Sequence, residues 1–206
     1  MDDTEDVLNL PRPTRPDHEI AVLGGTHEDD FTIACGYAAA AETTARSFLT
    51  QPNDGLVLPT LYLYRHSIEL TLKWLIRLTA RCALRCGYAG EENLRADTMD
   101  EKLQTHNIRK LAERLNRYMG HLVGCQERSL DPDTMKVLIH LDSEDGYGDA
   151  YRYAMIGNAP NRTIARPTQE NMQFYDKVNS LHRVALTLQD GYATVLHEYE
   201  QLQLTV

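Results

Sequence analysis

Apolar residues recur every three or four positions along most of this chain, and that recurrence predicts helices. The strongest stretch is Leu61 to Cys86. There Leu61, Ile68, Leu72 and Leu75 form one apolar face. On the same helix Arg65, Glu69, Lys73, Arg77, Arg81 and Arg85 recur every fourth residue, a charged row that drifts slowly round the helix. A helix that is apolar on most sides is expected to lie largely buried, with this row seeing water through a window or lining a site.

Other elements follow from the same pattern. A first helix is expected over about 30–49, capped by Asp29 or Asp30, with Phe31, Ala34, Ala38, Ala41, Ala45 and Phe48 on its inner face. The second runs over about 57–86, with Pro59 in its first turn and Gly87 and Gly90 ending it. A third runs from Thr105, its expected cap, to about 123, with Ile108, Leu111, Leu115, Tyr118 and Leu122 inward. A short fourth begins at Asp131, with Met135, Leu138 and Leu141 inward. The stretch 142–167, rich in Gly, Asp, Arg and Pro, reads as a long ordered loop. The last helix covers about 170–203. Its seam of Val178, Leu181, Ala185, Leu188, Tyr192, Val195, Tyr199 and Leu202 fits either a long bundle helix or a dimer seam. Gly191 costs about 1 kcal/mol there relative to Ala. No strand pattern is evident. The expected fold class is all-α, a bundle of about five helices with a long C-terminal helix. One domain over 29–206 would follow a flexible N-terminal tail, 1–28, broken by Pro11, Pro13 and Pro16.

Charge refines this picture. The net charge of −9 speaks against unspecific nucleic-acid binding by the whole molecule. From Tyr64 to Arg117, however, 11 Lys or Arg face 7 Asp or Glu, a net of +4 that leaves −13 elsewhere. That basic middle either packs against acidic neighbours or presents a cationic surface. Cys35, Cys82, Cys86 and Cys125 show neither a disulfide framework nor zinc spacing, so reduced thiols in a cytoplasmic protein are expected. The N-terminus does not read as a signal peptide, and no apolar run reaches about 18 residues, so no membrane span is expected.

Candidate chemistry lies in three places. Arg65, His66, Glu69 and Lys73 fall within about 100° of helical arc, forming either a solvated salt-bridge ladder or a polar site in the bundle. His106 begins the third helix as a cap or a neutral base. With the second and third helices taken as an antiparallel pair, it need not meet Arg65. In the loop, Tyr151 and Tyr153 flank Arg152, a set suited to a phosphate or base and equally to an internal anchor on Glu69 or another carboxylate. The acidic run Asp142, Glu144, Asp145, Asp149 reads as a solvated turn, since it lacks the spacing of a calcium loop. P-loop, dinucleotide, HExxH and nucleophile-elbow motifs are absent from the sequence. No cofactor or metal is called for.

The run LYLYRHSIELTLKWLI, then His106-Asn-Ile-Arg-Lys-Leu111, then Asp149-Ala-Tyr-Arg-Tyr153, resembles bacterial HEPN-like helical proteins over about 56–153. The resemblance implies a helical bundle, often a homodimer, that binds or cleaves RNA or nucleotides in a bacterial or phage stress, defence or toxin–antitoxin setting. Catalysis would be metal-independent cleavage by the 2′-hydroxyl. His66 or His106 would act as base beside Glu69, and Arg65 or Arg152 would steady the phosphate, with Lys73, Tyr151 and Tyr153 contributing to binding. The superfamily's catalytic Arg-to-His spacing is not matched at Arg114, Arg117 and His121. A non-catalytic assembly or antitoxin-like module, with a protein partner and these residues as a structural polar network, is the alternative.

Overall fold

A computed structural model describes residues 29–204 except 126, 158–159 and 167–170. The stretch 1–28, expected as a tail, lies outside the described residues. The helices are α1 (Asp30–Thr50), α2 (Val57–Arg85), α3 (Ala96–Lys102), α4 (Ile108–Met119), α5 (Pro132–Glu144), α6 (Phe174–Leu186) and α7 (Ala193–Leu204). A π-helical turn, Thr187–Tyr192, joins α6 to α7, so the two make one C-terminal helix of 31 residues. The all-α expectation holds. The short α3 was not expected, nor was the ladder of β1 (Met155–Ile156) and β2 (Thr163–Ile164). Two residues per strand are too few to show a period of two.

Helix α2 is the hub of the bundle. Leu61, Ile68, Leu72, Leu75, Ile76 and Leu78 are completely buried. Helix α1 runs antiparallel to it, with Thr60 bonded to Thr44, Ser67 to the Ala34 carbonyl, and Arg77 to Asp30. The buried alanines Ala34, Ala41 and Ala45 of α1 permit that close approach. Helix α4 runs parallel to α2. Its first residues lie beside Arg65 and its end beside Tyr88, whose ring is 4.5 Å from that of His121. The antiparallel pairing expected for these two helices is therefore incorrect. The segment 87–107, with α3 in it, returns the chain along the bundle before α4 starts. Helix α5 is antiparallel to α4, with Asn107 bonded to Asp142 and Asn116 to Leu130.

Helix ends follow local chemistry. Asp29 caps α1 by accepting the Thr32 amide at 2.8 Å. Gly87, at φ 77°, closes α2 with Tyr88 N–H on the Ala83 carbonyl, the αL ending that glycine favours. Asn107, not Thr105, caps α4 by accepting the Lys110 amide; Thr105 instead accepts the amide of Asn107. Asp131 caps α5 through the Asp133 and Thr134 amides. Asp131→Ala is expected to cost about 1 kcal/mol, read as a fall of about 3 °C in Tm by calorimetry.

The C-terminal seam is buried inside the bundle as far as Tyr192. The wider π turn then shifts the buried set by one residue. Beyond it Ala193, Leu196 and Glu200 are buried, while Val195 and Tyr199 are only half-buried and Leu202 is 68% exposed. The shift also turns Gln189 inward, where its amide donates to Ser67 and Thr71 at 3.0 and 3.1 Å.

Candidate functional site

Arg65 is 1% exposed, and its guanidinium is fully engaged. Nη1 donates to Glu69 Oε2 at 2.9 Å. Nη2 donates to the His106 carbonyl at 2.7 Å and the Asp145 carbonyl at 3.1 Å. Nε donates to that same Asp145 carbonyl at 3.2 Å and lies 3.1 Å from Asp145 Oδ2. Oδ2 makes no directed hydrogen bond, so charge alone holds it to Nε. Asp145 follows the last residue of α5, so its carbonyl carries the negative end of that helix dipole toward the cation. Gly148 makes room for this arrangement. Its φ is +76°, and a Cβ there would sit 2.9 Å from Arg65 Nη1. One arginine thus ties α2 to the start of α4 and the end of α5.

Glu69 carries this buried charge to the surface. It is 2% exposed, and its Oε1 accepts Lys73 Nζ at 2.7 Å and His106 Nδ1 at 2.9 Å. Burial pushes the Glu69 carboxyl upward, but the hydrogen bonds and charges of Lys73 and His106 prevail, and its pKa falls below the ordinary carboxylate value. A carboxylate oxygen only accepts, so Nδ1 donates, and in the neutral tautomer of this ring the lone pair is on Nε2. The His106 side chain is 57% exposed and that of Lys73 13%. Imidazole and ammonium therefore lie side by side on one oxygen at the edge of a dry network. Arg65, Lys73, Glu69 and Asp145 balance in charge, as burial requires.

His66 lies on the next strip of α2, half-buried. Its ring stacks on Tyr62 at 5.6 Å and 11°, and meets Tyr37 edge-on at 4.5 Å. Burial lowers its pKa below the ordinary 6.5, and the cations Lys73, Arg65 and Arg152 add to the shift against the opposing charge of Glu69. A histidine held neutral in the fold but protonated in the unfolded chain makes stability fall as pH drops through about 6.5. Melting temperatures between pH 8 and 5 should therefore decline less for His66→Phe than for the wild type.

Arg152 does not reach Glu69. Its Nε donates to the Gly148 carbonyl and its Nη2 to Asp149, both at 2.6 Å. Its guanidinium lies 5.0 Å from the Tyr153 ring centre and 5.7 Å from that of Tyr62. The hydroxyl of Tyr151 instead donates to Glu144 at 2.8 Å, so only one of the two flanking tyrosines stacks on Arg152.

The structure thus brings His106, which the sequence reading held apart, to the expected group of Arg65, Glu69 and Lys73. His66, Arg152 and Tyr153 stand on an adjoining aromatic strip. Asp145 was the residue missed. The acidic run is not a solvated turn: Asp145 is buried under Arg65, Asp142 accepts from Asn107, Glu144 binds Lys177, and Asp149 binds Arg152. Tyr62 was also missed, although its place one turn before His66 was a usable signal. The charged row of α2 passes outward along its length. Arg77 pairs with Asp30 and Asp100, and Arg81 and Arg85 share Glu200.

Among the described residues no group of three His, Cys, Asp or Glu side chains is placed to hold a metal ion, and no helix is long and apolar enough to cross a membrane. Comparison of the chain with protein-family models, with curated proteins and with solved structures finds no match.

Proposed function

We propose that this chain is a HEPN-like protein that binds RNA or nucleotides through the exposed edge formed by His106 and Lys73, in a bacterial or phage stress or defence setting. The observation that carries the reading is the Glu69–His106 pair: a buried carboxylate orients a solvent-facing imidazole, with an ammonium on the same carboxylate oxygen. Such a ring is set up as a general base. In the cleaving form, His106 Nε2 removes the proton of a 2′-hydroxyl, and its oxygen attacks the adjacent phosphorus. The 5′ oxygen leaves and takes its proton from water. Lys73 and Arg152 hold the phosphate oxygens. Arg65 and Glu69 are positioning residues in this scheme, since both are buried.

Incubation of mixed RNA with the purified protein in EDTA tests the proposal. Wild type is expected to bind, with affinity several-fold weaker in Lys73→Gln, and His106→Asn is expected to lose cleavage by about 100-fold or more with its circular dichroism unchanged. A wild-type protein that neither binds nor cleaves RNA and binds no nucleotide ends the proposal. The burial of Arg65 and Glu69 favours a second reading, a non-catalytic helical assembly or antitoxin-like module, and that result would leave it standing. A homodimer belongs to the same proposal, and sedimentation velocity measures it.

A further inference from the structure

Beside the His106 edge, separated from it by the His66 strip, is a cleft of about 450 Å³ lined by Asp54, Leu58, Pro59, Tyr62, Tyr151 and Arg152. Its size lies within the range of small-ligand sites. We propose that this cleft is a guanine nucleotide subsite, taking one guanylate unit either free or within an RNA strand. This inference rests on the nucleotide-binding reading above and names the unit bound.

Three observations converge on that chemistry. Tyr62 is stacked on His66, and the His66 ring is itself held edge-on by Tyr37, so the aromatic wall is fixed before any ligand arrives. A fixed aromatic face suits a base, and preorganisation reduces the cost of binding. Arg152 is the cation of the cleft. Its Nε and Nη2 are occupied by Gly148 and Asp149, and those two bonds hold its plane near Tyr62. Nη1 has no hydrogen-bond partner among the described residues, which leaves donors for a phosphate oxygen. Asp54 is the anion of the cleft. Its backbone carbonyl accepts the Val57 amide, while no hydrogen bond or ion pair among the described residues engages its carboxylate. Guanine is the one common base whose Watson–Crick edge presents two adjacent N–H donors, at N1 and N2, matching a carboxylate bidentately. Adenine offers one, and uracil's single imide donor is flanked by oxygens that a carboxylate repels.

Titration of the full chain with GMP, UMP and inorganic phosphate, followed by calorimetry, tests the assignment. GMP is expected to bind at least tenfold tighter than UMP, and phosphate weakest. Asp54→Asn, an exposed change, should weaken GMP about tenfold and leave UMP unaltered. Tyr62→Leu should weaken both about tenfold. A guanosine-containing RNA binding where GMP does not places the unit within a strand, and the reverse makes it a free nucleotide; both support the cleft. Equal affinity for GMP and UMP, or GMP binding indifferent to both Asp54→Asn and Tyr62→Leu, overturns the cleft alone if RNA still binds in a Lys73-dependent way. If neither RNA nor any nucleotide binds the wild type, both readings fail together.

Discussion

Arg65→Met is expected to lower the melting temperature by about 10 °C, the largest effect of any single change in the polar network. The substitution removes the cation that faces two buried carboxylates and two backbone carbonyls. Breaking such a pair from one side costs about 3–5 kcal/mol, because the partner charge stays behind without water. For a domain of this size each kcal/mol corresponds to roughly 2–4 °C. Arg77→Met is the control. Arg77 also holds two carboxylates, Asp30 and Asp100, but its side chain is 32% exposed, so water replaces what is lost and the cost is about 1 kcal/mol or less. The pH dependence is a further check. Glu69 has a lowered pKa in the fold, so its contribution is present above the ordinary carboxylate value and lost as the solution is acidified. In Arg65→Met, Glu69 loses a cationic partner and is more readily protonated, so the gap from wild type should narrow toward pH 4. An Arg65→Met protein melting within 2 °C of wild type would show that the network contributes no stability.

Gly148→Ala should be nearly as damaging, although it adds one carbon. Gly148 and Gly124 have almost the same φ, +76° and +77°. An alanine at either position pays the left-handed penalty of about 1–2 kcal/mol. They differ in surroundings. At Gly124 the new methyl meets nothing within 4 Å, whereas at Gly148 it meets Arg65 Nη1 at 2.9 Å. Arg65 has no freedom to yield, since it would have to release Glu69 or His106. Chemical denaturation should therefore report about 1–2 kcal/mol for Gly124→Ala and on the order of 3 kcal/mol for Gly148→Ala. Equal losses at the two positions would mean that the guanidinium relaxes freely.

These two positions also mark how far the sequence could be read. The helices were legible because each carries its own period and stops: Asp29, Asp131 and Gly87 act on neighbours within a few residues. The i,i+4 contacts of Glu69 with Arg65 and Lys73 were legible for the same reason. The meeting of Arg65 with Asp145 was not, because 80 residues separate them and only the path of the chain brings them together. The contact between Glu69 and His106 depended on the segment 87–107 reversing the chain, and nothing in its composition announces that return. The heptad seam read correctly up to Tyr192 and then slipped by one, since a π turn changes the count of residues without changing their character.

That slip has its own consequence. A π turn holds one residue more than ordinary winding, so excising one residue from the stretch between Leu186 and Ala193 would restore an unbroken α-helix and leave everything downstream in phase. Glu200 would stay on Arg81 and Arg85, and Leu196 would stay inside. The C-terminal rod therefore carries its slack in one place: it can give up a residue at the wide turn, whereas the same loss within α7 would swing all that follows by about 100°.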